Sequence, residues 1–347
     1  MNTLLAILLV LLSVSGRSDT APQTLARGSQ PQVSVDTKGV IRIVYGTKDQ
    51  IFCLTSADNG KTFTKPALVA RITGMHLGMT RGPQIASSNR YSIITAIDKS
   101  GNIHSFRLSH QSKKWERMQP VNDLEGSGPE GLMSISADER DNFYAVWLDI
   151  RQKKQNQIFF SSLQSGAQSW SKNRLIYESP SGHVCECCKP SVATAGSQVA
   201  VMFRNWLFGS RDLYFITSAN QGRSFSAARK LGTGTWKLNA CPMDGGDISI
   251  DRNQQVHSAW QRQGAVYYSK PGQGERKIES GRNVSMVKNA KTPTILFHSG
   301  GKVFMSILNG KPLTIGEGSF AEGVVTPDHK ILVVWENEGS VLFRKVG

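Results

Sequence analysis

No stretch of this sequence supplies the roughly 18 uninterrupted apolar residues that a membrane-spanning helix requires. The run from Leu4 to Leu12, in MNTLLAILLVLLSVSGRSDTAPQ, has only the length of a signal-peptide core, and Val14 and Gly16 supply small residues ahead of Arg17. The basic residue that usually precedes such a core is missing, and no cysteine stands there to take a lipid anchor. Residues 1–16 are expected to be a removable leader, which makes 17–347 a secreted or periplasmic protein with no membrane span. An arginine-rich tract is also absent. The formal charge of +15 is spread singly along the chain, which argues against nucleic acid and for an anionic glycan or small molecule as partner. No linker-like composition divides the chain, so one domain is expected.

What the sequence has instead is a repeat. The same order of four short strands recurs about every 45 residues. It runs PQVSVD, GVIRIVYG, QIFCLTSADNGKTF, KPALVA, then GPQIASS, YSIITAID, NIHSFRLSHQSKKW, ERMQPV, and continues through GLMSISAD, KPSVATAG, GDISID, VSMVKNA and EGVVTPD. β-Branched and aromatic runs bounded by Gly, Asn, Asp and Ser are strand and hairpin signals. Radial repetition of such sheets protects their edges. The pattern predicts an all-β fold, a β-propeller of seven four-stranded blades, with six as the alternative because the fifth and seventh copies are weak. The last copy stops one strand short, and Gln23 to Ser29 is left over to supply that strand and close the ring. A monomer is expected.

Within the first copy, SADNGKTF places Ser56, Asp58, Gly60, Thr62 and Phe63 in the spacing S-x-D-x-G-x-T-F. An Asp carboxylate that accepts backbone N–H bonds, a Gly at positive φ and an aromatic under the hairpin make a tight turn. SANQGRSF repeats it with Asn220 and Ser224, and Ser162 to Trp170 repeats it with an extra residue. These turns resemble the Asp box, or BNR repeat, of sialidase-like propellers, and nearly the whole chain after residue 16 is similar in layout to exported bacterial proteins of the exo-alpha-sialidase type. The boxes themselves are expected to be structural.

Blade topology places the loop before each first strand, and the hairpin between second and third strands, on the face opposite the boxes. That face carries Arg81 and Gln84, Glu130, the cysteines with Lys189, Asp244 and Asp247, and Glu322. Asp149, Arg151, Arg204, Arg262, His298 and Glu336 end second strands. The sialidase resemblance implies an arginine triad gripping a substrate carboxylate, a role that falls to Arg81, Arg204 and Arg262, with Arg211 as a further candidate. It also implies acids, which Glu130, Asp149, Asp244 and Glu322 offer, with Glu130, Asp149 and Asp244 as the catalytic candidates. No tyrosine matches the family nucleophile; Tyr214 is nearest by blade position.

Three of five cysteines, Cys185, Cys187 and Cys188, fall in SGHVCECCKPSVA, and Cys241 lies in the next connection round the same face. This cluster is a departure from the sialidase pattern. In an oxidising compartment a disulfide between Cys241 and one of the three is expected. The alternative is a site for copper or zinc, in which soft thiolates are joined by Met75, Met79, Met133, Met243 or His76. CKPSVA starts like a sulfatase motif but lacks its arginine. Cys53 is expected to be an isolated buried thiol.

Overall fold

The computed structural model describes residues 21–347, and the expected leader at 1–16 lies outside them. The described residues form 28 strands and no helix, arranged as seven antiparallel four-stranded sheets. The count is seven blades, with the fifth and seventh copies each folded as a full blade. The innermost strands are Ser29–Val35, Gln84–Ser87, Met133–Ala137, Ser191–Ala195, Asp247–Ile250, Arg282–Met286 and Ser319–Val325. Each packs against the innermost strands of both neighbours, which closes a ring around a central channel.

The seam lies in blade seven. Its outermost strand is the N-terminal Gln23–Arg27, paired antiparallel with the C-terminal Ser340–Val346, so that Gln23 faces Phe343 and Arg27 faces Ser340. The leftover segment of the sequence thus completes the ring, but only as far as Arg27, since Ser29 already begins blade one.

Burial falls outward along each blade, and the residue types follow it. Second strands are sandwiched between adjacent blades, and Phe143–Asp149 is buried at every position. Third strands alternate, as in Gln50–Ser56, while the fourth strands face water on one side. The core therefore lies between blades. Val33, Ile41, Ile43 and Leu54 of blade one pack on Val324, Leu332, Val334 and Phe343 of blade seven. The fifth position of the second strand repeats a large aromatic: Tyr45, Trp147, Trp260 and Trp335 are all buried.

The turn at Ser56–Phe63 is built as its residues require. Ser56 Oγ accepts from Gly60 N at 2.9 Å, and Asp58 Oδ1 accepts from Lys61 N at 3.1 Å and Thr62 N at 3.0 Å. Phe63 meets Phe343 of blade seven edge-on at 5.1 Å. The turn at Ser218–Phe225 copies it, with Gly222 N on Ser218 Oγ at 2.9 Å and Phe225 edge-on to Phe160 at 5.2 Å. Gly60 has φ +77°, and a Cβ there would stand 2.6 Å from Leu332 Cδ1. Gly60→Ala therefore combines backbone strain with a clash between blades one and seven, and urea unfolding is expected to show a loss of roughly 1–3 kcal/mol.

A second repeated turn is not apparent from strand rhythm. Asp36, Asp98, Asp138 and Asp251 each accept the backbone N–H four residues on, at 2.9, 3.0, 3.1 and 2.9 Å. Each also takes a side chain six residues on: Arg42 at 2.8 Å, His104 at 2.8 Å, Tyr144 at 3.1 Å and His257 at 3.1 Å. One carboxylate thus closes a hairpin and pins the following strand to it.

Candidate functional site

The channel is lined by side chains that alternate inward along the innermost strands. Ser34, Ser87, Ser134, Ser136, Thr194 and Ser249 give it a hydroxyl-rich wall. Charge is concentrated in Lys189, Asp247, Lys288 and Glu322, beside Gln32 and Gln84. The enclosed volume is about 130 Å³. At one mouth, Asp244, Gly245, Gly246 and Phe320 extend the wall. The channel widens to about 830 Å³ on the face that bears the first hairpins, among them the Asp36, Asp138 and Asp251 turns.

The charged group is held in place by its neighbours. Glu322 Oε1 accepts from Gln32 Nε2 at 3.0 Å and lies 3.9 Å from Lys189 Nζ. Asp247 accepts the backbone N–H of Ile248 on one oxygen and of Met286 on the other, both at 2.9 Å. Burial, and next the Glu322 carboxylate, push the Asp247 carboxyl up to about 6, against the opposing pull of Lys189 and Lys288. Asp244 sits behind it, fully enclosed, accepting from Gly246 N at 3.1 Å and Asn283 N at 2.7 Å. Burial raises its carboxyl too, with Arg204 in opposition.

Of the residues nominated by the sequence, Gln84, Lys189, Asp247 and Glu322 line the channel and Asp244 its mouth. The expected convergence of three arginines is corrected by the structure, because each is committed elsewhere. Arg204 is buried and donates to three backbone carbonyls, of Asp244 at 2.9 Å, Arg211 at 2.8 Å and Gln261 at 2.8 Å. Arg262 forks onto Glu275 and stacks on Tyr267 at 4.1 Å. Arg81 donates Nε to the Glu130 carbonyl at 2.6 Å, and the Glu130 side chain takes Asn156 Nδ2 at 3.3 Å. Asp149, entirely buried, holds Trp147 Nε1 at 2.8 Å and Arg151. None of these five lines the channel. The reason is common to Asp149, Arg204 and Arg262: they end second strands, which face neighbouring blades. Tyr214 stacks on Phe203 within its own blade. Lys288 and Gln32 were missed; their one signal was an inward position on, or just after, an innermost strand.

The cysteines converge on the loops entering blades four and five. Cys187 is bonded to Cys241, with Cα atoms 6.2 Å apart, while Cys185 and Cys188 are free and buried. The expected pairing of Cys241 with one of the three therefore holds. Cys185, Cys187 and Cys188 place their sulfurs within 4.8 Å of one another, a spacing that suits a metal ion once Cys187 is released from its bond to Cys241. Of the candidate soft partners only Met243 packs on them. Met75 and Met133 belong to inter-blade cores, His76 bonds the Pro129 carbonyl at 3.0 Å, and Met79 is exposed. Arg211, a candidate for the carboxylate grip, instead donates to Cys185 Sγ at 3.1 Å and to Glu186. Burial raises the Cys185 thiol, but the contact with Cys188 and the charges of Arg204 and Arg211 outweigh it and leave it lowered. Burial and the contact with Cys185 push Cys188 well up. Cys53 is buried alone in the outer part of blade one, as expected.

No known sequence family matches the chain, and no curated protein does. Solved structures do. A polysaccharide lyase, an ulvan lyase bound to a GlcA(1-4)Rha3S unit, is 10% identical, with a TM-score of 0.58 over 95% of this chain and 96% of that one. The propeller domain of the trilobed protease from Pyrococcus furiosus is 10% identical at TM-score 0.55, covering 92% and 95%. A sialidase from Streptococcus pneumoniae is 14% identical at TM-score 0.49, covering 94% of this chain and 70% of its own. At 10% identity the likeness to the first two establishes the propeller fold alone.

Proposed function

We propose that the channel mouth binds the charged end of an anionic glycan, a uronic-acid or sialic-acid type residue. The observation that carries this reading is the placement of Lys189 and Lys288 beside Asp247 and Glu322 in a hydroxyl-lined channel. Ammonium groups take the sugar carboxylate; hydroxyls and amides take its ring oxygens. A cavity of about 130 Å³ is well below the ~300–1,000 Å³ of pockets that engulf a drug-sized ligand, so a terminal residue fits the reading better than an internal one. The ulvan lyase neighbour, with its bound uronate unit, supports it as an analogy of fold. The turns at Ser56–Phe63 and Ser218–Phe225 are read as Asp boxes, and the mature chain as exported, where glycans are met.

Calorimetry with glucuronic acid and N-acetylneuraminic acid, against glucose, tests it. Binding of the acids alone is expected, weakened about tenfold or more by Lys189→Ala. Equal binding of the neutral sugar, or none of either acid, would sink the proposal. The pH dependence has a definite sign. Asp247 carries a proton below about 6, so the channel becomes more positive as pH falls from about 7.5 to 5, and affinity for an acid that stays ionised rises by up to about tenfold. Glu322→Gln removes the charge that raises Asp247 and moves that rise to lower pH.

The cysteines carry a second reading. Their sulfurs converge closely enough to hold one copper or zinc ion.

A further inference from the structure

Two of the four clustered sulfurs are bonded to each other. Cys187, in the loop entering blade four, is tied to Cys241, in the loop entering blade five. A disulfide sulfur is neutral and a poor ligand, whereas a thiolate binds metal. With the bond closed, only Cys185 and Cys188 have sulfur to offer; with it open, Cys187 joins them in a group whose sulfurs lie within 4.8 Å of one another, and Cys241 is freed beside Cys187.

Resting on the reading of the cysteines as a metal site, we propose that the Cys187–Cys241 bond gates it. Opened by a dithiol reductant, the chain holds one thiophilic d10 cation, Cu(I) or Zn(II), among Cys185, Cys187 and Cys188 with Cys241 freed beside them as a fourth sulfur, and closing the bond by exchange with a small-molecule disulfide, which leaves as two thiols, expels it. In the opening step a reductant thiolate attacks Cys241 Sγ and Cys187 leaves as thiolate. The second reductant thiol then displaces Cys241, and the reductant departs as its own disulfide. Two electrons and two protons have passed to the protein, and the incoming ion displaces thiol protons to solvent.

Spacing, framework, charge and access all agree with such a site. Four sulfurs about 2.3 Å from a tetrahedral ion stand about 3.8 Å apart. Cys185 Sγ and Cys187 Sγ are 3.8 Å apart. The two loops touch backbone to backbone, for a Cβ on Gly245 would stand 1.9 Å from the Lys189 carbonyl, so the sulfurs have a frame that does not depend on the bond. Arg211 on Cys185 at 3.1 Å, and buried Arg204 behind it, offset thiolate charge. Backbone N–H groups of Cys187 and Asp244 face the Cys185 and Cys188 sulfurs. Glu186, the nearest carboxylate in sequence, is turned to Arg211, which leaves a sulfur donor set suited to a soft ion. Cys241 is exposed while the other three are buried, so a reductant reaches the bond from its side.

The test titrates the whole mature protein with Cu(I) against a chromophoric chelator, and in a separate arm with Zn(II) by equilibrium dialysis, before and after anaerobic dithiol treatment. The reduced protein is expected to take one equivalent of one ion, on the order of 100-fold more tightly than the untreated protein, and to release it on reoxidation. Cys241→Ser, which cannot form the bond, is expected to bind with or without reductant through its remaining three sulfurs. Cys53→Ser is expected to behave as the parent. Equal uptake before and after reduction would overturn the gate while leaving the metal reading intact. Failure of both ions to bind a chain with four titratable cluster thiols would overturn the metal reading itself.

Discussion

Arg204→Ala is expected to lower folding stability by roughly 3–6 kcal/mol, because three buried carbonyls lose their donor at once and each orphaned carbonyl costs about 1–3 kcal/mol. The guanidinium sits where three segments meet: the Asp244 loop, the Arg211 loop and the second strand of blade five. Its stacking on Trp236 at 5.5 Å is lost as well. Lysine offers one point of donation in place of a planar fork, so Arg204→Lys is expected to recover only a small part. Equilibrium urea unfolding measures the loss. A stability within about 1 kcal/mol of the parent, coupled to abolished binding of acidic sugars, would instead return Arg204 to the role of carboxylate grip.

Asp149→Ala is expected to cost about 2–4 kcal/mol, since a buried carboxylate that gathers several donors is lost and the Trp147 indole N–H is left unsatisfied. Asp149 receives Trp147 Nε1, Arg151 N at 2.9 Å, and Arg151 Nε at 3.0 Å and Nη2 at 2.9 Å. Arg151 would keep Asp123 at 2.7 Å and Phe159 beneath it, but the indole N–H would have no acceptor in the core. Asp149→Asn retains one acceptor oxygen, and its thermal midpoint is expected to fall between those of the parent and Asp149→Ala. An alanine variant as stable as the parent would show that this network contributes nothing to the fold.

The blade rhythm, the closing strand and the face on which loops gather were all legible in the sequence, because each depends on periodicity and turn chemistry. Lys189, Asp247 and Glu322 were legible as residues of the channel face for the same reason: Lys189 stands just before an innermost strand, Asp247 begins one and Glu322 lies within one. What a side chain does with its donors was not legible. Arg204 in FRNW looks identical on paper whether it points into the channel or between blades, and only the sandwiching of second strands decides it. The Asp36, Asp98, Asp138 and Asp251 turns escaped notice because the partner six residues on varies from Arg to His to Tyr, so no fixed motif appears. The cysteine pairing was half legible: loop adjacency pointed Cys241 at the cluster but did not choose Cys187 among three neighbours.

The seam in blade seven orders the events of folding. Arg27 and Ser340 are neighbours in space yet 313 positions apart in the chain. Blades one to six can form from local hairpins, but the seventh requires Gln23–Arg27 to meet Ser340–Val346, the strand pairing of widest sequence separation among the described residues. Contacts of such high sequence separation are the slow ones, though the added loop-closure entropy grows only logarithmically. Until that moment the three C-terminal strands present an unpaired edge, and Gln23–Arg27 serves as a tethered inhibitor of strand addition by any other chain.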